Sequence, residues 1–143
     1  MQKKNWPNFD KKLILEVNKI LNSGKINYTT GICGKKFEQN FSEFVGNRYS
    51  VALCNGTAAL EVAIKSLDLP KKSEIIVPAR SFFASASCIV NTGHTPIFTD
   101  VNLLTKNIDL NDLKKKITRK TKAIICVHLA GLPCNMKKIK KIA

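Results

Sequence analysis

No apolar run in this sequence approaches membrane-spanning length, which excludes a helical transmembrane segment. The basic N-terminus is followed by apolar positions broken by Glu16, Asn18 and Lys19, so no signal-peptide core is formed. The five cysteines, Cys33, Cys54, Cys88, Cys126 and Cys134, are odd in number and contain no C-x-x-C pair. That spacing indicates neither a disulfide framework nor a structural zinc site and suits a reducing cytoplasm. Cys88 and Cys126 read as small apolar core residues. No G-x-G-x-x-G is present, so a dinucleotide fold is unsupported. The segment Gly31-Ile32-Cys33-Gly34-Lys35-Lys36 is too short for a P-loop, has no Ser or Thr after its lysine and follows no strand. Internal repeats and low-complexity tracts are also missing.

Acidic residues are few: 10 against 24 basic ones, for a formal charge of +14. Such a charge invites a nucleic-acid or acidic-membrane reading. The lysines, however, are scattered along the chain, and only Lys114 to Lys122 is dense enough to form a patch. No aromatic residues are interleaved with them, so the expectation is no nucleic-acid and no membrane partner. The charge instead suits attraction of an anionic small substrate.

With 143 residues, the chain has the length of one domain. Its last residues place Met136, Ile139 and Ile142 at helical spacing with no stop signal, which suggests a chain cut inside a helix. Helices are expected over 11–23, capped by Asp10 and stopped by Gly24, and over 35–45, ended by Gly46. These helices and the polar loop 25–34 form an expected N-terminal arm, residues 1–47. From Arg48 the pattern alternates strand and helix, giving an expected α/β domain over 48–143 with a mostly parallel sheet and crossover helices. The expected strands are 49–54, 74–77, 96–101 and 123–129, the last being the most apolar and so expected to be covered on both faces. The intervening helices are expected over 57–67, over 82–91 and from a cap at Asp109 or Asn111.

Ligands of an open α/β sheet bind beyond the carboxyl ends of the strands. That rule places Asn55 to Ala58, Ala79 to Phe83, Asp100 to Asn107 and His128 to Pro133 on the functional edge. In the first, Gly56 admits close backbone approach, Thr57 offers a hydroxyl, and the free N–H groups of Thr57, Ala58 and Ala59 at the helix start attract an anion, phosphate above all. An ordinary capped helix would carry the same residues. In the second, Phe82 and Phe83 cannot both face one core, so one of them is expected in the cleft, where an aromatic ring can stack on a flat cofactor; two core or interface phenylalanines are the alternative. His128, in phase with Cys126, reads as a hydrogen-bonded histidine at the cleft floor, since two residues do not make a metal site. His94, after a glycine in a turn, is expected to be exposed.

Six segments in order carry a further resemblance: Gly34-Lys35-Lys36-Phe37-Glu38, Val51 to Leu60, Glu74-Ile75-Ile76-Val77-Pro78, Pro96 to Val101, Thr121 to Ile125, and Val127 to Pro133. Together they resemble the DegT/DnrJ/EryC1/StrS family of pyridoxal-phosphate-dependent aminotransferases, which act mainly on nucleotide-linked keto sugars. The resemblance implies part of the large domain of a fold-type-I transferase, truncated, with its small domain absent. It assigns Gly56, Thr57 and Ala58 to the cofactor phosphate and Phe82, rather than Phe83, to the pyridine ring. Where this chain has Ser87 the family tends to have Asn, which leaves that position without an assigned polar role. The loop from Tyr28 to Gly34 resembles one that reaches the partner subunit's active site.

Transamination also needs a lysine that holds the cofactor and a carboxylate that keeps its ring nitrogen protonated. In the resembling family both lie beyond the position matched by Ala143, so no catalytic residue is assigned here and the polypeptide alone is expected to be inactive. The complete protein implied is a cytoplasmic homodimer moving an amino group from an amino acid such as glutamate to a nucleotide-linked sugar. The alternatives are a sugar dehydratase using the same cofactor and a non-catalytic remnant.

Overall fold

The computed structural model describes residues 6–143, and the chain divides into two compact units, one ending at Ala52 and the other running from Leu53 to Ala143. The division falls after residue 52, five positions later than the composition change at residue 47 suggests.

The first unit holds two helices, α1 (Lys11–Asn22) and α2 (Cys33–Val45). The Asp10 carboxylate caps α1 by accepting the Leu13 amide at 2.7 Å, satisfying one of the donors that every helix start leaves free. Helix α2 begins at Cys33, two residues before the expected start, with no side-chain cap. It ends on left-handed Gly46 (φ 71°), and the Asn47 amide reaches back to the Ser42 carbonyl, the bond that closes a Schellman turn. Phe37, Phe41 and Phe44 all remain exposed, as do Leu13, Ile14, Val17 and Leu21 of α1.

The expected strand over 49–54 is absent. Instead of entering a ladder, the Ala52 amide donates to the Glu38 carboxylate at 2.7 Å. A side-chain acceptor has captured a backbone donor that a strand would need.

The second unit contains, in order, α3 (Gly56–Ser66), β1 (Glu74–Pro78), α4 (Ala84–Asn91), β2 (Thr95–Thr99), α5 (Leu110–Lys116), β3 (Thr121–Ile124), a single 3₁₀ turn (Leu129–Gly131) and α6 (Met136–Ile142). The sheet is wholly parallel, in the order β2-β1-β3. Alternate residues of β1 point to opposite faces, as in any strand. Ile75 and Val77 pack with Ile64, Cys88 and Ile89 from α3 and α4, while Ile76 packs with Ile108, Leu113, Cys134 and Ile139 on the side of α5 and α6. Because both faces are covered, Glu74-Ile75-Ile76-Val77-Pro78 reads as a nearly continuous apolar run rather than an alternation.

The step from β1 to β2 runs one way across the sheet and the step from β2 to β3 runs back past β1. Crossovers of one hand then require α4 and α5 on opposite faces, which is where the two cores place them. Two segment boundaries differ from expectation. The 123–129 run is strand only to Ile124, with one further bond from the Ile125 amide to the Ile76 carbonyl, and its residues are half-buried because β3 is an outer strand. The fully covered strand is β1. Helix α4 starts at Ala84, after Phe82 and Phe83.

Ile76 is fully buried at the centre of the second core. Ile76→Ala is expected to lower the unfolding free energy by about 2–5 kcal/mol, read by urea titration followed by circular dichroism. A loss well under about 1 kcal/mol would contradict a packed core on that face.

Candidate functional site

Helices that follow one face in opposite directions open a crevice where they part. Here the chain leaves β1 toward the α4 face and leaves β3 toward the α6 face, so the crevice lies at the carboxyl ends of these neighbouring strands. The segments 79–83 and 128–135 follow β1 and β3 at that edge and are called the first and second lip. Helix α3 joins β1 through the short connection 67–73, in which Asp68 (φ 46°) and Lys72 (φ 60°) adopt left-handed turns. A connection that short sets α3 antiparallel to β1 and directs its first residues to the same edge.

At that start, Asn55 is extended and its side-chain oxygen accepts the Ala58 amide at 2.9 Å, while its carbonyl accepts the Ala59 amide at 3.1 Å. Of the amides expected to face a ligand, those of Ala58 and Ala59 are therefore engaged. The amides of Gly56 and Thr57 and the Thr57 hydroxyl take no partner among the described residues. A Cβ added at Gly56 would meet nothing within 4 Å, and Thr57 is half-buried without being sealed. The helix start thus keeps two amide donors and a hydroxyl available, with open space in front of them, where the helix dipole favours negative charge.

Both Phe82 (77 % exposed) and Phe83 (80 %) stand in the turn before α4, so neither is claimed by the core. The turn itself is fixed from below: the Ser81 hydroxyl donates to the Ser85 hydroxyl at 2.7 Å, and the Ser85 amide to the Phe82 carbonyl at 3.0 Å. Sequence reasoning named this segment but not the serine pair; the four-residue spacing of two serines across a helix start was the available signal.

The two histidines exchange their expected settings. His128 is exposed, and its Nδ1 accepts the Cys134 amide at 3.0 Å, so it ties the second lip together rather than lying at a cleft floor. His94 is half-buried rather than exposed, with a buried Nδ1 that finds no partner among the described residues. It lies at the amino end of β2, away from the crevice. Burial pushes the thiols of Cys88, Cys126 and Cys134 up from their ordinary value, Cys126 also feeling Cys134, which keeps them protonated and unreactive.

In the first unit the loop after α1 is built around Tyr28. Its hydroxyl donates to Glu38 at 2.8 Å, and its ring covers Gly34 so closely that a Cβ there would lie 2.6 Å from Cδ2. A Cβ on Gly31 would lie 2.7 Å from the Asn27 and Lys25 carbonyl oxygens. The Glu38 carboxyl is held below its usual range, first by the Ala52 amide and then by the Tyr28 hydroxyl, and the same contact pushes the Tyr28 hydroxyl up.

The class that the second unit defines is a three-layer α/β unit with an anion-receptive helix start beside its sheet crevice. Residues 7–143 match the DegT/DnrJ/EryC1/StrS aminotransferase family, and the chain belongs to it. It is 42% identical to GDP-perosamine synthase of Escherichia coli O157:H7 over 127 residues, covering 89% of this chain and 35% of that protein. Among solved structures, an aminotransferase from Psychrobacter cryohalolentis superposes with a TM-score of 0.92 at 43% identity, covering 98% of this chain and 35% of that one. E. coli GDP-4-keto-6-deoxy-D-mannose-3-dehydratase with bound hydrated PLP superposes with a TM-score of 0.86 at 33% identity, covering 94% and 36%. The chain therefore spans about a third of the length of the relatives it matches. The parallel sheet with crossover helices is shared with these solved structures. No described helix is long and apolar enough to cross a membrane.

The Tyr28 contact gives a pH test. A carboxyl with a lowered pKa adds stability above its unfolded value and loses it as pH falls through the folded one; a tyrosine with a raised pKa adds stability below its unfolded value and loses it as pH rises through the folded one. The contact is thus intact through neutral pH and fails at both extremes. Tyr28→Phe is expected to move the Glu38 pKa upward toward its ordinary value in an NMR titration; an unchanged value would show that the hydroxyl plays no part. Gly31→Ala is expected to cost about 1–3 kcal/mol, because backbone oxygens must move to admit the methyl group, and thermal unfolding of the two chains measures it.

Proposed function

We propose that this chain supplies the phosphate-holding and ring-stacking part of a pyridoxal 5'-phosphate site in an enzyme that moves an amino group from an amino acid, glutamate by preference, to the keto group of a nucleotide-linked sugar. The observation that carries the reading is the start of α3, where the Gly56 and Thr57 amides and the Thr57 hydroxyl stand unpartnered before open space in a member of a sugar aminotransferase family.

The residues fit the cofactor. The Gly56 and Thr57 amides and the Thr57 hydroxyl would hold phosphate oxygens, which the missing Cβ of Gly56 would let approach the backbone. The Ala58 amide, which now donates to the Asn55 side-chain oxygen, would be available to the phosphate only if it gave up that bond. Phe82, exposed in the turn that the Ser81–Ser85 bond fixes, would stack on the cofactor ring. When bound, the cofactor supplies an electrophilic carbon and a ring that takes up electrons as a substrate bond to hydrogen breaks. The lysine that anchors it and the carboxylate at its ring nitrogen are assigned to polypeptide outside these residues. The excess of positive charge, +14, favours approach of a diphosphate-bearing sugar. The exposed apolar stripes of α1 and α2 accord with a homodimer.

A second reading, a dehydratase acting on a nucleotide-linked keto sugar, is favoured by the likeness to the PLP-bound dehydratase structure. The two readings share the phosphate and ring contacts and differ in the residue that anchors the cofactor, which is lysine for amino transfer.

Equilibrium dialysis with pyridoxal 5'-phosphate tests the shared contacts. Thr57→Ala is expected to weaken binding about tenfold, the equivalent of one charge-assisted hydrogen bond at about 1.4 kcal/mol, and Phe82→Ala about three- to tenfold. Inorganic phosphate should compete with the cofactor. Equal affinity in wild type and both variants would reject the site. The chain by itself should form no 2-oxoglutarate from glutamate with a keto-sugar nucleotide; turnover would place the anchoring lysine among these residues.

A further inference from the structure

The loops after β2 and β3 are joined by one side chain. Asn107 is 5 % exposed, and its carboxamide spans the turn of the second lip. Its Nδ2 donates to the Leu132 carbonyl at 2.9 Å, and its Oδ1 accepts the Leu129 amide at 3.1 Å. The two bonds clasp both ends of the 3₁₀ turn Leu129–Gly131. Between them Ala130 (φ 52°) and Gly131 (φ 82°) adopt consecutive left-handed conformations. Glycine does so freely, whereas alanine does so against the clash of its Cβ and must be held there. The turn's own bonds, from the Gly131 amide to the His128 carbonyl at 3.1 Å and from the Leu132 amide to the Leu129 carbonyl at 3.0 Å, are local. The clasp from Asn107 is the one that fixes the turn to a neighbouring loop of the sheet edge.

We propose that Asn107 is a positioning residue: it holds the 128–133 lip in the conformation that walls the crevice, and through that lip it sets the affinity of the crevice for the cofactor without touching it. The residue type follows from the geometry. One planar group must donate at one end and accept at the other, 22 and 25 residues away in sequence, and be small enough to stay buried. Aspartate keeps the acceptor but turns an oxygen toward the Leu132 carbonyl; alanine removes both bonds. The proposal rests on the cofactor reading above, and the experiment separates the two.

The test uses the full chain, wild type against Asn107→Asp, Asn107→Ala, and Asn107→Ala combined with Ala130→Gly. Three quantities are read: pyridoxal 5'-phosphate affinity by dialysis, amide hydrogen exchange over 129–134 without cofactor, and the thermal midpoint. Both single variants are expected to exchange at least tenfold faster over 129–134, with slow exchange kept in β1, and to bind the cofactor about tenfold more weakly. Ala130→Gly is expected to restore part of that affinity, because glycine occupies the left-handed region without the clasp. Unchanged exchange over 129–134 in both variants overturns the proposal. So does a loss of β1 protection or failure to fold, which would make Asn107 a core residue, and so does weakened exchange protection with undiminished affinity. If the wild-type chain binds no cofactor, the cofactor reading and its link to Asn107 fall together, and the exchange data then decide only the clasp.

Discussion

Everything in the second unit depends on the burial of one strand. Ile75, Ile76 and Val77 of β1 have no solvent exposure, and their alternation supplies a residue to each of the two cores. Burying side chains of this size contributes roughly 1.5–3 kcal/mol each, which makes the strand the chief source of order for α3 and α4 on one side and α5 and α6 on the other. Since the chain departs β1 and β3 toward opposite faces, the same arrangement that closes both cores must leave the carboxyl edge open. The crevice is a consequence of how the core is covered.

Much of this was legible in the sequence. The helix over 11–22 announced itself through Asp10, a stripe of apolar residues and Gly24, and the α/β class through alternating apolar runs and helical stripes. These signals are local, and each survives without knowledge of neighbours. Rank of burial is different. Ala123 to Val127 is more continuously apolar than β1, yet it lies outside β1 because position in a sheet is set by connectivity between strands, which composition does not encode. The run at 49–54 misled for a related reason: its Ala52 amide has a better acceptor in Glu38 than any strand provides.

The candidate site divides in the same way. Gly56, Thr57 and Phe82 were singled out because a helix start after a glycine turn and paired aromatics are short-range patterns; among the described residues the Gly56 and Thr57 amides have no partner, and the Phe82 ring is exposed. Ala58 shows the limit: its amide was counted as free, but the Asn55 side chain three residues earlier occupies it. Asn107 closed a segment placed on the functional edge, but its clasp was invisible, since its partners lie more than twenty positions downstream. His128 and His94 were misplaced because exposure at loop positions depends on which way the chain turns afterwards.

The outer position of β3 has one more consequence. Among the described residues β3 is an outer strand, and Thr121–Ile124 presents a row of backbone donors and acceptors on that side. Lys122 sits in that row and is exposed, and a like-charged neighbour of the same sequence would have to bring its own lysine alongside. Stacking of identical molecules edge on edge is thereby discouraged, whereas a strand of different sequence meets no such repulsion.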